Sequence, residues 1–267
     1  MRQIEKAFAQ LKEEGRGGLI PFITAGDPNL DVTRELILEL AQAGATIIEL
    51  GVPFSDPLAD GPVIQRSSAR ALRTNCGLKE ILQTVSEVRR QTAVPIVLFS
   101  YYNPLLQFGV EELAREAALA GVDGLLVTDL APEESAAVQK AFAARQIDLI
   151  YLVAPTSTDE RLRMIAARAS GFIYAVARNG VTGMRDEATE AAEKLVTRVR
   201  ALTDLPVVVG FGISKKSQVD EVLRYADAAV VGSAIVAEIE KRSGSEDLVS
   251  NVGVFVRSLI STLTVPV

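Results

Sequence analysis

The chain has 267 residues, 48% hydrophobic and 23% charged, with a formal net charge of −6. That length supports a full core and suits one barrel-sized domain running over 1–267. The acidic balance leaves no electrostatic footprint for nucleic acid or an anionic membrane, and no apolar run reaches the roughly 18 residues of a membrane span.

In chain order, Ile4, Phe8 and Leu11 share one face of an N-terminal helix. The acids between them argue against a signal or transit peptide. Short apolar runs follow at 19–24, 46–50, 95–99, 124–128, 148–153, 171–176, 206–210 and 227–231. They are continuously apolar, not alternating, as parallel strands buried on both faces are. Amphipathic helices lie between them. Val32, Leu36 and Leu40 line one face of 31–43, which stops at Gly44, and 110–120 stops at Gly121. Ser157 and Glu160 have capping-box spacing ahead of another helix. Further helices are expected near 62–73 and 246–263.

The runs AGATIIEL (43–50) and AGVDGLLVTD (120–129) echo each other, from helix end through Gly to strand to acid. Eight such units average about 33 residues each, the size of a βα unit. The expected fold is α/β, a single (β/α)8 barrel with an extra N-terminal helix. A doubly wound open sheet is the alternative.

Histidine is absent. Ser–His and Cys–His catalysis are therefore excluded, and His-ligated zinc or iron is disfavoured. None of the lysines falls in an apolar strand core, where a Schiff-base lysine is desolvated. The single cysteine, Cys76, reads as a buried bystander in a reducing, cytoplasmic setting. Acid–base chemistry then falls to carboxylates. In IELGVPFSDPLADGPVIQ (48–65), Glu49 interrupts an apolar strand, and the Pro/Gly loop after it carries Asp56 and Asp60. A charge there is costly unless it is paired or used. Either Glu49 meets an unseen Arg, or it faces the loop acids as half of a catalytic pair.

The C-terminal strand ends of such a barrel hold the site. Phe22, Phe99, Tyr101, Leu152, Tyr174 and Phe211 fall there, either as barrel core or as the lining of a flat apolar substrate. Thr24, Thr128, Asp129, Gly210 and Ser233 fall there too. Asp129 either orients a partner group or caps the helix that follows it. Glycine turns NGVTG (179–183), GFG (210–212) and GSA (232–234) follow strands six to eight. They are plain turns or a backbone cradle for phosphate. The Gly-rich stretch 178–185 reads as a lid or a solvated loop. Pro53, Pro57 and Pro104, with Asp56 and Asn103, are expected exposed on the rim, where they dock a partner or merely stiffen a loop.

PFITAGDP (21–28), IELGVPFSDPLADGPVIQ (48–65), YYNP (101–104), GLLVTDL (124–130), RNGVTG (178–183), GFGIS (210–214) and VVGSAIV (230–236) together resemble the tryptophan synthase alpha subunit family over the full length. The resemblance implies retro-aldol cleavage of indole-3-glycerol phosphate to indole and glyceraldehyde 3-phosphate, with no cofactor and no metal. It implies catalysis by Glu49 and Asp60. Indole contacts would fall on Phe22, Phe99, Tyr101, Leu126, Thr128, Leu152, Tyr174, Thr182, Phe211 and Val230. Phosphate contacts would fall on Gly183, Gly212, Gly232 and Ser233. A beta subunit in an α–β–β–α heterotetramer would meet Pro53, Asp56, Pro57, Asn103 and Pro104. A standalone lyase is the alternative. Ala177 and Asn179 depart from the family's usual lid sequence.

Overall fold

Eight parallel strands pair in sequence order and close on themselves. They are β1 Gly18–Thr24, β2 Ile48–Gly51, β3 Ile96–Ser100, β4 Gly124–Val127, β5 Asp148–Val153, β6 Ile173–Val176, β7 Val207–Gly210 and β8 Ala228–Val231. The closing pair is β8 with β1, from Gly18 opposite Ala228 to Pro21 opposite Val231, so the open-sheet alternative is excluded. The computed structural model describes residues 1–176, 185–210 and 212–261, without the side chains of 185–188.

Every expected strand forms. The sixth begins at Ile173, later than its apolar run, because Gly171 sits at φ +77 and Phe172 N donates to Ser170 O, which keeps the entry a turn. The helices are α1 Gln3–Glu13, α2 Leu30–Gln42, α3 Pro62–Leu72, α4 Leu78–Val88, α5 Tyr102–Phe108, α6 Val110–Ala120, α7 Ala136–Ala143, α8 Asp159–Arg168, α9 Arg185–Arg200, α10 Lys216–Val222, α11 Ser233–Lys241 and α12 Leu248–Leu259. The Ser157–Glu160 box does not form. Thr158 caps α8 instead, accepting from Arg161 N, while Ser157 Oγ turns back to Ala154 N. Both hydroxyls compete for helix-start amides, and the chain enters the helix one residue later than the spacing suggests.

Apolar side chains fill two compartments. The lumen holds Ile20, Ile47, Val97, Leu126, Ile150, Phe172, Val208 and Val230, with Phe99, Leu152 and Tyr174 above them. A larger shell lies between strands and helices. The apolar face of α1 stoppers the lower end. Ile4 and Leu11 are buried there, and the Phe8 ring meets Phe172 edge-on at 6.0 Å. The bottom of the lumen is thus filled by α1, which leaves the carboxyl ends of the strands as the end to search for a site.

Candidate active site

Glu49 lies in β2, opposite Phe22 of β1 and Val97 of β3, so its side chain shares their lumen face. It is 1% exposed, and its Oε1 has no hydrogen-bond partner among the described residues. Among the described residues no arginine forms an ion pair with Glu49. Burial pushes the Glu49 carboxyl up to about 8, with no compensating cation. A neutral acid is thus held in an apolar well, the form that can give a proton and then take one back.

Asp60 arrives from the loop between β2 and α3. Tyr101, at the end of neighbouring β3, donates its hydroxyl to Asp60 Oδ2 at 3.0 Å and accepts Ala59 N at 3.0 Å. Asp60 N also bonds Pro57 O, and Gln65 Nε2 bonds Asp60 O at 3.0 Å. Burial raises the Asp60 carboxyl, and the Tyr101 bond opposes that rise. The double role of Tyr101 was not foreseen. Its signal was strand order, because loops after adjacent parallel strands lie side by side.

Of the four glycine-turn positions that the resemblance implies for phosphate, Gly212, Gly232 and Ser233 follow β7 and β8. Gly210 of β7 stands opposite Val230 of β8, so the turns after these strands are neighbours. Gly212 has φ +67, open to glycine and strained for a branched residue. Gly232 is the N-cap of α11, and Ser233 opens that helix. Its first N–H groups have no intrahelical acceptor and carry the positive end of the helix dipole. The strand order β7, β8, β1, β2 runs from these turns around to Glu49.

A family model described as tryptophan synthase alpha chain matches residues 8–263. The chain belongs to the tryptophan synthase alpha chain family. The tryptophan synthase alpha chain of Geobacter sp. strain M21 is 51% identical, covering 97% of each chain. That of Chloroflexus aggregans is 45% identical over 98% of each. Among solved structures, the alpha subunit from Legionella pneumophila has a TM-score of 0.89 at 35% identity, over 97% of both chains. The tryptophan synthase complex from Pyrococcus furiosus has a TM-score of 0.82 at 38% identity, over 91% of this chain and 97% of that one. The chain is accordingly a carbon–carbon lyase of the alpha reaction, which cleaves indole-3-glycerol phosphate.

Among the described residues, eight of the positions that the resemblance implies for indole can be placed. Phe22 and Phe99 meet edge-on at 5.4 Å. Leu126 and Val230 are buried in the lumen cluster, with Leu152 and Tyr174 half-buried above. Thr128 is half-buried, and its Oγ1 donates to Ser100 O at 3.3 Å. Thr182, Gly183, Phe211 and the stretch 177–184 lie outside the described residues. Glycine is needed at 210, because a Cβ there would stand 2.1 Å from Tyr174 Oη.

Two further expectations change. Of the two readings of Asp129, the local cap is the one that fails among the described residues. Asp129 accepts Tyr102 N at 2.7 Å, capping α5 across the mouth and fixing the turn that bears Tyr101. Pro53 is not exposed but buried, because Val52 N still donates to Phe99 O and carries the ladder past β2. Asp56 and Asn103 are exposed, and Pro57 and Pro104 are half-exposed. Cys76 is buried against Ala25 O, and burial pushes its thiol up to about 12, so it is no nucleophile.

Proposed function

We propose that Glu49 and Asp60 divide the acid–base work of the cleavage. Glu49 gives its proton to indole C3, which makes the ring an electron sink. As a carboxylate it then takes the proton of the glycerol hydroxyl while the C–C bond breaks. Asp60 accepts the indole N–H and balances the charge developing there. Phe22, Phe99, Leu126, Leu152, Tyr174 and Val230 hold the ring. The observation that carries this reading is the buried, unpartnered Oε1 of Glu49. An assay of indole release by the chain, with and without a beta subunit, tests it directly.

The phosphate is assigned to backbone N–H groups of Gly183, Gly212, Gly232 and Ser233, assisted by the α11 N-terminus. Gly212→Val is expected to weaken glycerol 3-phosphate binding by about 10-fold or more, since a β-branched residue resists φ +67 and crowds the approach. Ser233→Ala keeps its N–H and should bind within a factor of about three. Calorimetric titration reads both. A Gly212→Val protein with wild-type affinity would move the anion elsewhere.

The partner proposed for the rim is a beta subunit, in an α–β–β–α assembly that receives indole and is formed in the cytoplasm. Leu58, at the tip of the loop holding Asp60, is 93% exposed beside Asp56 and Pro57. Leu58 is the apolar side chain that this loop would offer such a partner. Co-sedimentation with the cognate beta subunit at micromolar concentration is expected, and Leu58→Asp should weaken it. Separate migration together with full activity of the isolated chain would establish the standalone lyase.

A further inference from the structure

The loop that carries Asp60 runs straight into α3, and one side chain of α3 ties it to two other elements at once. Arg70 forms a fork on Asp27, Nε to Oδ1 and Nη2 to Oδ2, both at 2.8 Å. Its remaining nitrogen, Nη1, reaches Glu240 Oε1 at 2.6 Å. Asp27 is 1% exposed and belongs to the turn after β1. Glu240 lies near the far end of α11, whose first residues are the phosphate positions. Arg66, one turn earlier on α3, holds the same Glu240 through two bonds at 2.7 and 2.8 Å. On the lumen side of α3, Ser67 Oγ bonds Thr24 Oγ1 of β1 at 2.6 Å.

We propose that Arg70 is a positioning residue of the lyase, a strut that makes the Asp60 loop, α3 and the phosphate-bearing α11 move as one body. The proposal rests on the assignment of Asp60 and of the α11 terminus. Its consequence is specific. The phosphate does not react, yet its binding pulls on α11, and through Glu240 and Arg70 that pull reaches α3 and seats Asp60. Remote binding energy is then expressed in kcat and not in KM. Arginine is needed because a planar fork can hold one carboxylate in two places and a second carboxylate with its spare nitrogen. Lysine can satisfy Asp27 but not both partners.

Arg70→Lys keeps a cation beside buried Asp27, so the fold survives, and Glu240→Gln cuts the same bridge from α11. Each is expected to lower kcat on indole-3-glycerol phosphate by about 10-fold, with KM and glycerol 3-phosphate affinity within about two-fold. The double variant should be no slower than Glu240→Gln alone, because that substitution already disturbs the bonds from both Arg70 and Arg66 to α11. With dephosphorylated indoleglycerol, all three should match the parent. A merely structural role would instead lower the rates on both substrates in step with the melting temperature, and that result overturns the proposal. So do wild-type kcat in both variants, or losses that multiply in the double. Glu49→Gln, assayed alongside, keeps the readings apart. If it stays active the acid pair itself is wrong. If it is dead while Arg70→Lys and Glu240→Gln run at full rate, only the strut is wrong.

Discussion

Glu49→Gln is expected to reduce indole formation by about 10²–10⁴-fold while glycerol 3-phosphate affinity stays within a factor of about two. The substitution keeps the size and hydrogen-bonding shape of the side chain and removes only its proton chemistry. The wild-type profile should carry the same signature. A carboxyl pushed up to about 8 by burial is neutral in the free enzyme at pH 7, which is the form needed to protonate C3. The kcat/KM of the wild type should therefore fall above about pH 8. A flat profile to pH 9.5, or substantial turnover in the Gln variant, would remove Glu49 from the mechanism.

Stability should follow the same group. The Glu49 carboxyl has its ordinary value of 4.5 in the unfolded chain and about 8 in the folded one. Between these values the native state binds one more proton than the unfolded state. Native stability therefore falls as pH rises through that window, by about 1.4 kcal/mol per unit from this group, and levels off above it. Glutamine carries no such cost. Glu49→Gln should gain on the wild type from pH 5 to pH 8.5 in paired thermal melts. A constant difference across that range would mean that Glu49 is not a buried neutral acid.

These contrasts also explain what could be read from residues alone. The strands were legible because continuous apolar runs such as VVV have one stable home, a sheet covered on both faces. Glu49 was legible because a carboxylate in such a run is expensive, and the absence of histidine left few other groups for proton transfer. Sequence could not decide between an ion pair and a catalytic acid, since that depends on whether an arginine enters the lumen. None of the described residues gives Oε1 a partner. The errors were cross-strand facts. Pro53 looked like a rim residue because it follows the strand, but the ladder bond from Val52 holds it inside. Asp129 looked like a local cap, but its acceptor oxygen serves α5, 27 residues earlier in the chain. Arg70 was invisible for the same reason, because its partners stand 43 and 170 residues away.

Asp60→Asn is expected to cost about 10²-fold or more in kcat, with KM little changed. The loop geometry should persist, because an amide oxygen can still accept the Tyr101 hydroxyl, and the backbone bonds to Pro57 and from Gln65 remain. What disappears is the negative charge that opposes positive charge on the indole nitrogen as C3 is protonated. Tyr101→Phe makes the complementary change. It leaves the charge but removes the hydroxyl that bridges Asp60 and Ala59, so about 10-fold is expected, the worth of one or two hydrogen bonds. Charge and position thus separate into a large and a small effect at neighbouring residues. Because Glu49 and Asp60 serve one transition state, Glu49→Gln combined with Asp60→Asn should be no slower than the slower single variant. Single-turnover assays with saturating indole-3-glycerol phosphate measure all four proteins. If the two losses multiplied, the acids would act in separate steps. If Tyr101→Phe were as slow as Asp60→Asn, the decisive contribution of Asp60 would be its placement and not its charge.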